Sequence, residues 1–265
     1  MNSKDSEYIG DDDWFKKYLL KIAHYDKMMK QYNKTTYVVF DVDNTLFTKR
    51  HKVMKYMRKR GIEYLENKIK CENEKMAMKM TRLNKEYDNV FQGLSVENGI
   101  DIDITDYVDF VSEGASQHIK PTFNELHELH ILFESLSKIP NLKIWTFSNG
   151  SNKHVNQVLD ILKITNYFDG HINLTFIINK YKKYISKPSQ KAYRIAEDEM
   201  GFNKDSDKIY FIDDYDKNIE ASIKRKNWVG ILVDEKGTRS VDGALRIKNI
   251  HELKNKVPKL FNSLY

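Results

Sequence analysis

Three short, largely apolar runs in this chain each stop on residues that can do chemistry. Tyr37-Val38-Val39-Phe40 runs into Asp41, with Asp43 two residues on; Leu142–Phe147 runs into Ser148-Asn149-Gly150; Ile209-Tyr210-Phe211-Ile212 runs into Asp213-Asp214. Runs of this length bounded by turn residues read as strands buried on both faces. Helical spacing fills the stretches between them. Strands alternating with helices specify an α/β fold, a Rossmann-like parallel sheet with helices on both faces. In such open sheets the chemistry collects at the carboxyl ends of the strands. A strand followed by an ordinary Asx-rich turn is the bland reading of any one run, because Asp and Asn are common in turns.

The spacing predicts further elements. Phe15, Leu19, Ile22 and Met29, preceded by Asp11-Asp12-Asp13, predict an amphipathic helix over about 12–32, with the carboxylates at its positive N-terminal end. Its aromatic and methionine stripe reads as packing. Residues 49–119 lose the strand pattern and show helical spacing at Val53, Tyr56 and Met57 and again at Tyr64, Leu65 and Ile69, with Gly61, Gly93 and Gly99 read as helix ends or turns. This predicts a small helical cap domain, 49–119, inserted after the first strand of a core made of 1–48 and 120–265. Leu126, Leu129, Leu132, Phe133 and Leu136 predict a helix that Pro140 ends. Beyond the second strand come a helix around Val155–Leu162, a turn at Asn166–Gly170, and a third strand at Leu174–Ile178. Then follow a helix after Ser186-Lys187-Pro188, a helix at Ile219–Ile223, a fifth strand at Val229–Val233, and a closing helix near Leu253–Leu260 interrupted by Pro258.

Composition sets the outer bounds. The 265 residues suffice for one large domain, or a core with a cap. No run approaches the roughly 18 apolar residues of a membrane span. The N-terminus lacks an apolar leader segment. Cys71 is the single cysteine, which excludes an internal disulfide and a cysteine-rich zinc site and offers no nucleophile with a convincing partner. These features predict a cytoplasmic or nuclear protein. Lys+Arg 44 against Asp+Glu 38 gives a formal charge of +6, which reads first as a solvated basic surface and also suits anions such as phosphate esters. The basic residues are scattered among acidic ones and form no nucleic-acid motif, so no nucleic acid is expected. His118, His127 and His130 read as surface residues. The oligomeric state is not legible.

In a parallel sheet the three strand ends converge. They bring four carboxylates, a hydroxyl, an amide and, with Lys187 just before a helix, an ammonium group. Carboxylates that close repel one another, and a hard cation such as Mg²⁺ would neutralise them. The set suits the handling of a phosphoryl group.

These motifs together resemble the haloacid dehalogenase-like (HAD) superfamily of phosphotransferases. Asp41-Val42-Asp43-Asn44-Thr45 matches its first motif, Asp-x-Asp-x-Thr. Ser148 matches the second, Lys187 with Pro188 the third, and Asp213-Asp214-Tyr215-Asp216-Lys217-Asn218 the fourth, with Tyr215 in place of the usual small residue. The resemblance spans about 36–235. Within it, Asp-Val-Asp-Asn-Thr-Leu, Phe-Ser-Asn-Gly, Phe-Asp-Gly and Phe-Ile-Asp-Asp are most similar to the pyrimidine 5′-nucleotidase branch, whose first connection carries a small helical cap.

The resemblance implies a Mg²⁺-dependent phosphomonoesterase that works through an aspartyl-phosphate. Asp41 would be the nucleophile and Asp43 the acid that protonates the leaving oxygen and then activates water. Asp43 speaks against dehalogenase chemistry, where that position is generally not acidic. The family pattern gives Mg²⁺ the Asp41 carboxylate, the Asp43 backbone carbonyl and Asp214, with Asp213 as neighbouring ligand or orienter. Ser148 and the Asn149 backbone N–H would hold phosphate oxygens, and Lys187 would neutralise the charge that builds on them. Thr45 would shape the loop and Asn218 would position the last aspartates. The expected substrate is a nucleoside 5′-monophosphate or similar small phosphate ester. The alternatives are a sugar-phosphate or other small-metabolite phosphatase, and a catalytically silent phosphate-binding module. The acid at position 43 disfavours the silent module, since binding alone needs no proton donor. A capped site disfavours a phosphoprotein.

Overall fold

The structure, a computed structural model, describes residues 14–23, 34–69, 75–87 and 90–261. Its centre is β1 (Thr36–Phe40), paired in parallel with β2 (Leu142–Phe147) on one side and β4 (Lys208–Asp213) on the other. β3 (Gly170–Ile172), β5 (Trp228–Val233) and β6 (Leu245–Ile247) complete a six-stranded parallel sheet of order β3-β2-β1-β4-β5-β6. The chain winds outward in one direction from β1 to β3, then returns to the other flank at β4. β1 and β4 therefore bound the point where the winding reverses, the place at which such sheets open a crevice.

The unbroken apolar character of β1 follows from its position. Val38 and Phe40 point into one core layer, beside Ile144, Phe133 and Val155; Tyr37 and Val39 point into the other, beside Phe147, Tyr193 and Phe211. The first layer is covered by α6 (Phe123–Ser137) and α7 (Asn152–Leu162), the second by α9 (Gln190–Met200) and α10 (Asp216–Ile223). A strand with helices on both faces cannot alternate with polar residues. Side-chain caps start α6 and α7. Thr122 and Glu125 form a reciprocal capping box on α6, and Ser151 Oγ accepts the His154 N–H on α7.

Between β1 and α6 lie α2 (Val53–Lys68), α3 (Met76–Glu86), α4 (Val90–Asn98) and α5 (Ile104–Ser112), with no strand among the described residues. The lower end of α2 joins the main core through Val53 and Met57. Its upper end builds a separate cluster, in which Tyr64 and Leu65 pack on Met76, Leu83, Val90 and Leu94. Burying a leucine contributes about 1.5–3 kcal/mol, so Leu65, Leu83 and Leu94, all fully buried, can hold a small satellite core together.

Several expectations need correction. Leu174–Ile178 is not the third strand. It belongs to α8 (Leu174–Tyr181), whose start is capped by the Asn173 side chain accepting the Phe176 N–H. The third strand is the three residues before it, Gly170–Ile172, which pair with Trp145–Phe147. Gly61 and Gly93 are not helix ends; they lie inside α2 and α4 because neighbours press on them. A Cβ at Gly93 would stand 2.7 Å from Leu83 Cδ2, and one at Gly61 2.5 Å from the Tyr107 hydroxyl. Gly99, with φ +62°, does end α4. A helix spans residues 14–23 (α1) and is exposed throughout; the remainder of the 12–32 segment lies outside the described residues, as does Cys71. The edge strand β6 carried no recognisable pattern, being three residues with Arg246 at its centre. The closing helix is split as expected, into α11 (Leu253–Lys256) and α12 (Pro258–Phe261). Among the described residues no helix is long and apolar enough to cross a membrane.

Candidate active site

The register of the sheet aligns the strand ends. Phe40 stands opposite Thr146 on β2 and Ile212 on β4, so Asp41, Ser148 and Asp213 emerge side by side. Eight of the nine residues picked from the sequence line one cavity of about 390 Å³: Asp41, Asp43, Ser148, Asn149, Lys187, Asp213, Asp214 and Asn218. The ninth, Thr45, donates its hydroxyl to Asp41 Oδ2 at 3.1 Å. The turn after β1 makes this possible. Asn44 takes the left-handed conformation, φ 58°, which asparagine tolerates, and Leu46 N–H returns to Val42 O.

Lys187 is the hub. It is 3% exposed, and its ammonium donates to Asp41 Oδ1 at 2.8 Å, Asp213 Oδ2 at 2.7 Å and Phe147 O at 2.6 Å. All three of its protons are thus taken by the protein. It influences a bound anion through its charge and by holding Asp41, as well as by any exchange of partners. The Phe147 and Phe211 rings flank it, with centroids at 5.1 and 5.3 Å. Asn149 fixes its backbone: the amide Nδ2 donates to Lys187 O and Oδ1 accepts Lys187 N–H, both at 2.9 Å. The Asn149 side chain is therefore a clamp on the lysine loop. Ser148 Oγ accepts the Gly150 N–H at 2.9 Å.

The last carboxylates are held differently. Asp213 accepts from Tyr215 N–H, Asn218 Nδ2 and Lys187, which engages both its oxygens. Asp214 is more open, paired with Lys49 Nζ at 2.9 Å. Behind it, Arg239 donates to the Asp214 carbonyl at 3.0 Å and to Asp216 at 2.7 Å, and is itself bound by Asp234.

Burial pushes the Asp41 carboxyl well above the ordinary carboxylate range. Lys187 opposes that, and the carboxylates of Asp213, Asp214 and Asp43 add to it. Burial also raises Asp214, against the pull of Lys49. Burial alone would lower the Lys187 ammonium, but Asp213 and Asp41 more than reverse this and raise it. The side chains thus carry a surplus of negative charge. Four carboxylates share the pocket with one buried ammonium, and Lys49 reaches in only from the rim. Asp41, Asp213 and Asp214 each offer an oxygen within 4.8 Å of the others'. An all-oxygen set with excess negative charge fits a hard divalent cation.

Some functional contacts were not legible in the sequence. His154, fully buried in the first turn of α7, places Nε2 2.8 Å from Asp43 Oδ1. Burial alone would lower the imidazole's pKa; the charge and hydrogen bond of Asp43 raise it instead. Its one sequence signal was a histidine four residues after a strand-end Gly, on the face that buries Val155 and Val158. Met54 and Met57 of α2 and the half-exposed Tyr215 also line the cavity. His118, His127 and His130 lie apart from it. The first two contact the Tyr56 and Phe123 rings and the third contacts Tyr167.

The family model for haloacid dehalogenase-like hydrolases matches residues 35–224. Phosphate metabolism protein 8 of Saccharomyces cerevisiae is 25% identical over 186 residues, covering 69% of this chain and 57% of that protein. The matched region is therefore little more than half of that relative's length. Among solved structures, the chain resembles a HAD phosphatase from Thermococcus onnurineus with TM-score 0.54 at 14% identity, covering 84% of this chain and 97% of that one. It resembles CbbY from Rhodobacter sphaeroides, solved with phosphate, with TM-score 0.52 at 14% identity, covering 82% and 95%. At these identities the likeness is one of fold.

Proposed function

The chain belongs to the haloacid dehalogenase-like hydrolases, and we propose that within them it is a phosphomonoesterase. The observation that carries this reading is Asp43. A second carboxyl stands in the same cavity as the buried Asp41, two residues on, with one oxygen bonded to His154. Ester hydrolysis through a covalent intermediate needs a nucleophile and, beside it, a group that can give up and then take back a proton.

The residues divide the work as follows. An Asp41 oxygen attacks phosphorus, and the bond to the leaving oxygen breaks as Asp43 gives that oxygen its proton. Asp43 then takes a proton from water, whose oxygen attacks the aspartyl-phosphate, releases inorganic phosphate and restores Asp41. Ser148 and the Asn149 backbone N–H face the phosphoryl oxygens. Lys187 balances the negative charge around Asp41. Asp213, fixed by Asn218 and Tyr215 N–H, keeps Lys187 in place, and Thr45 orients Asp41. Asp41, Asp213 and Asp214, with the Asp43 carbonyl, would hold Mg²⁺, which when bound supplies the charge that lets a carboxylate approach an anionic phosphate.

Residues 49–119 serve as the cap domain, with 1–48 and 120–265 as the core. Met54 and Met57 of α2 give the cavity that holds the carboxylates an apolar lining. An apolar wall beside a phosphate site suits a flat, partly apolar leaving group, which favours a nucleoside 5′-monophosphate over a sugar phosphate. Parallel turnover assays with nucleoside 5′-monophosphates and sugar phosphates, in Mg²⁺, test this. Release of phosphate from nucleotides with the higher kcat/KM is expected. Preference for a sugar phosphate would overturn the substrate reading, and turnover of neither class would overturn the phosphomonoesterase reading.

A further inference from the structure

Among the four carboxylates of the cavity, Asp43 is the one paired with a histidine. Asp41 and Asp213 are held by Lys187 and by near neighbours in sequence, and Asp214 by Lys49, whereas the partner of Asp43 is His154. The imidazole is fully buried, in a helix whose other inward positions are Val155, Val158, Leu159 and Leu162. Packing alone would be served better there by another aliphatic side chain. The histidine also carries a burden: Nδ1 is buried with no hydrogen-bond partner among the described residues. A polar group kept buried at that cost calls for an explanation. Nε2, which reaches into the catalytic cavity, provides one.

The surroundings select which Asp43 oxygen is free. A Cβ at Gly150 would lie 3.2 Å from Ser148 Oγ, 3.3 Å from His154 Cδ2 and 3.7 Å from Asp43 Oδ2. The bare glycine thus lets the imidazole edge and the Asp43 carboxyl come together beside the Ser148 turn. Oδ1 is anchored on Nε2, which leaves Oδ2, near Gly150 of the turn after β2, for the reacting group. The Ser151 cap, accepting the His154 N–H at 3.1 Å, fixes the start of α7 and with it the ring.

We propose that His154 is a positioning residue for Asp43: its Nε2–H holds Oδ1 so that Oδ2 faces the leaving-group oxygen and, in the second step, the attacking water. This inference rests on the phosphomonoesterase reading. The proton balance is that of Asp43 alone. Oδ2–H passes its proton to the leaving oxygen as the phosphorus–oxygen bond breaks, Oδ2 later recovers one from water, and His154 ends each step as it began.

The test uses the full chain, with Mg²⁺, and two aryl phosphates that differ in their need for a proton. Phenyl phosphate leaves poorly without protonation; 2,4-dinitrophenyl phosphate leaves without it. His154→Leu removes the anchor, and His154→Gln, whose amide N–H can reach as far as Nε2, restores it. Single-turnover cleavage of phenyl phosphate should fall by about 10²-fold in His154→Leu and that of the dinitrophenyl ester by less than about fivefold, the scale of lost acid catalysis. His154→Gln should recover most of the loss. Single-turnover cleavage of the dinitrophenyl ester, which needs no proton from Asp43, reports that the variant is folded. If His154→Leu does not fold, His154→Asn, whose amide is too short to reach Asp43, takes its place. Equal losses on both esters, or no recovery with glutamine, would overturn the inference. Asp43→Asn separates the two levels: if it discriminates between the esters while His154→Leu does not, the positioning role alone is wrong. If Asp43→Asn fails to discriminate, the acid role of Asp43 is wrong and the inference falls with it.

Discussion

Lys187 and Asp41, 146 residues apart in sequence, meet at 2.8 Å in a site where the lysine is almost wholly buried. The same ammonium bonds Asp213, so one cation holds two buried carboxylates. Removing one partner from a buried ion pair leaves an uncompensated charge and costs about 3–5 kcal/mol. Lys187→Met should therefore lower the midpoint of urea unfolding markedly as well as abolish turnover. Adding Asp41→Asn to it should recover part of the stability but none of the activity. A Lys187→Met protein as stable as the parent would show that the pair does not hold the strand ends together.

Asp41→Asn and Asp43→Asn should fail at different steps. The first removes the attacking oxygen, so no covalent phosphate should form. The second keeps the nucleophile and should lose about 10²-fold or more in turnover, yet still accumulate label with a substrate whose leaving group needs no proton. Rapid quench and peptide mass spectrometry would find that label on Asp41. Phosphate on Asp43, on a histidine or on a serine would overturn the assignment.

The surplus of carboxylates over ammonium groups in the cavity predicts metal dependence. EDTA should abolish hydrolysis and Mg²⁺ restore it. Asp214→Asn, which removes one of three clustered oxygen donors, should raise the Mg²⁺ concentration needed for half-maximal rate. Undiminished turnover in chelator would refute the metal role.

Gly61 lies inside α2, where alanine would improve helix propensity by about 1 kcal/mol. Its missing Cβ would sit 2.5 Å from the Tyr107 hydroxyl, while the next atoms, Tyr107 Cζ and Val111 Cγ2, are at ordinary contact distances of 3.5 and 3.6 Å. Gly61→Ala alone should destabilise, since overpacking costs about 1–3 kcal/mol. Combined with Tyr107→Phe it should be neutral or stabilising relative to Tyr107→Phe. Additive melting temperatures in the four-protein cycle would mean the hydroxyl is not the obstacle.

Asp234 supplies a pH-dependent share of stability. The Arg239 N–H at 2.7 Å, with the Arg239 guanidinium, holds its carboxyl below the usual range. A carboxyl depressed on folding stabilises fully above its unfolded pKa, about 4, and loses that contribution as pH falls through the folded value. The melting-temperature gap between the parent and Asp234→Asn should be wide at pH 7 and shrink below about pH 4. A gap unchanged with pH would show that the contribution is one of packing alone.

The central strands and eight of the nine candidate residues in the cavity were legible because two local signals coincided. β1, β2, β4 and β5 carry apolar residues on both faces, and their ends carry the carboxylates, Ser148 and Asn149. The short outer strands were not legible. β3 and β6 have three residues each, too few to display a period, and only pairing with Trp145–Phe147 and Ile231–Val233 makes them strands. Leu174–Ile178 carries apolar residues that suit either element. The Asn173 cap and burial of Leu174 and Ile177 decide for helix.

The sequence by itself determined the α/β class, the helical character of the insertion and the residues at the strand ends, since each follows from the order and type of neighbouring side chains. Tertiary structure decided which of those residues touch. His154 meets Asp43, Asn149 clamps Lys187, and Lys187 bridges Asp41 and Asp213. Those contacts depend on strand order and register, which bring together segments between 26 and 146 residues apart. No local pattern of side chains encodes a distance of that kind.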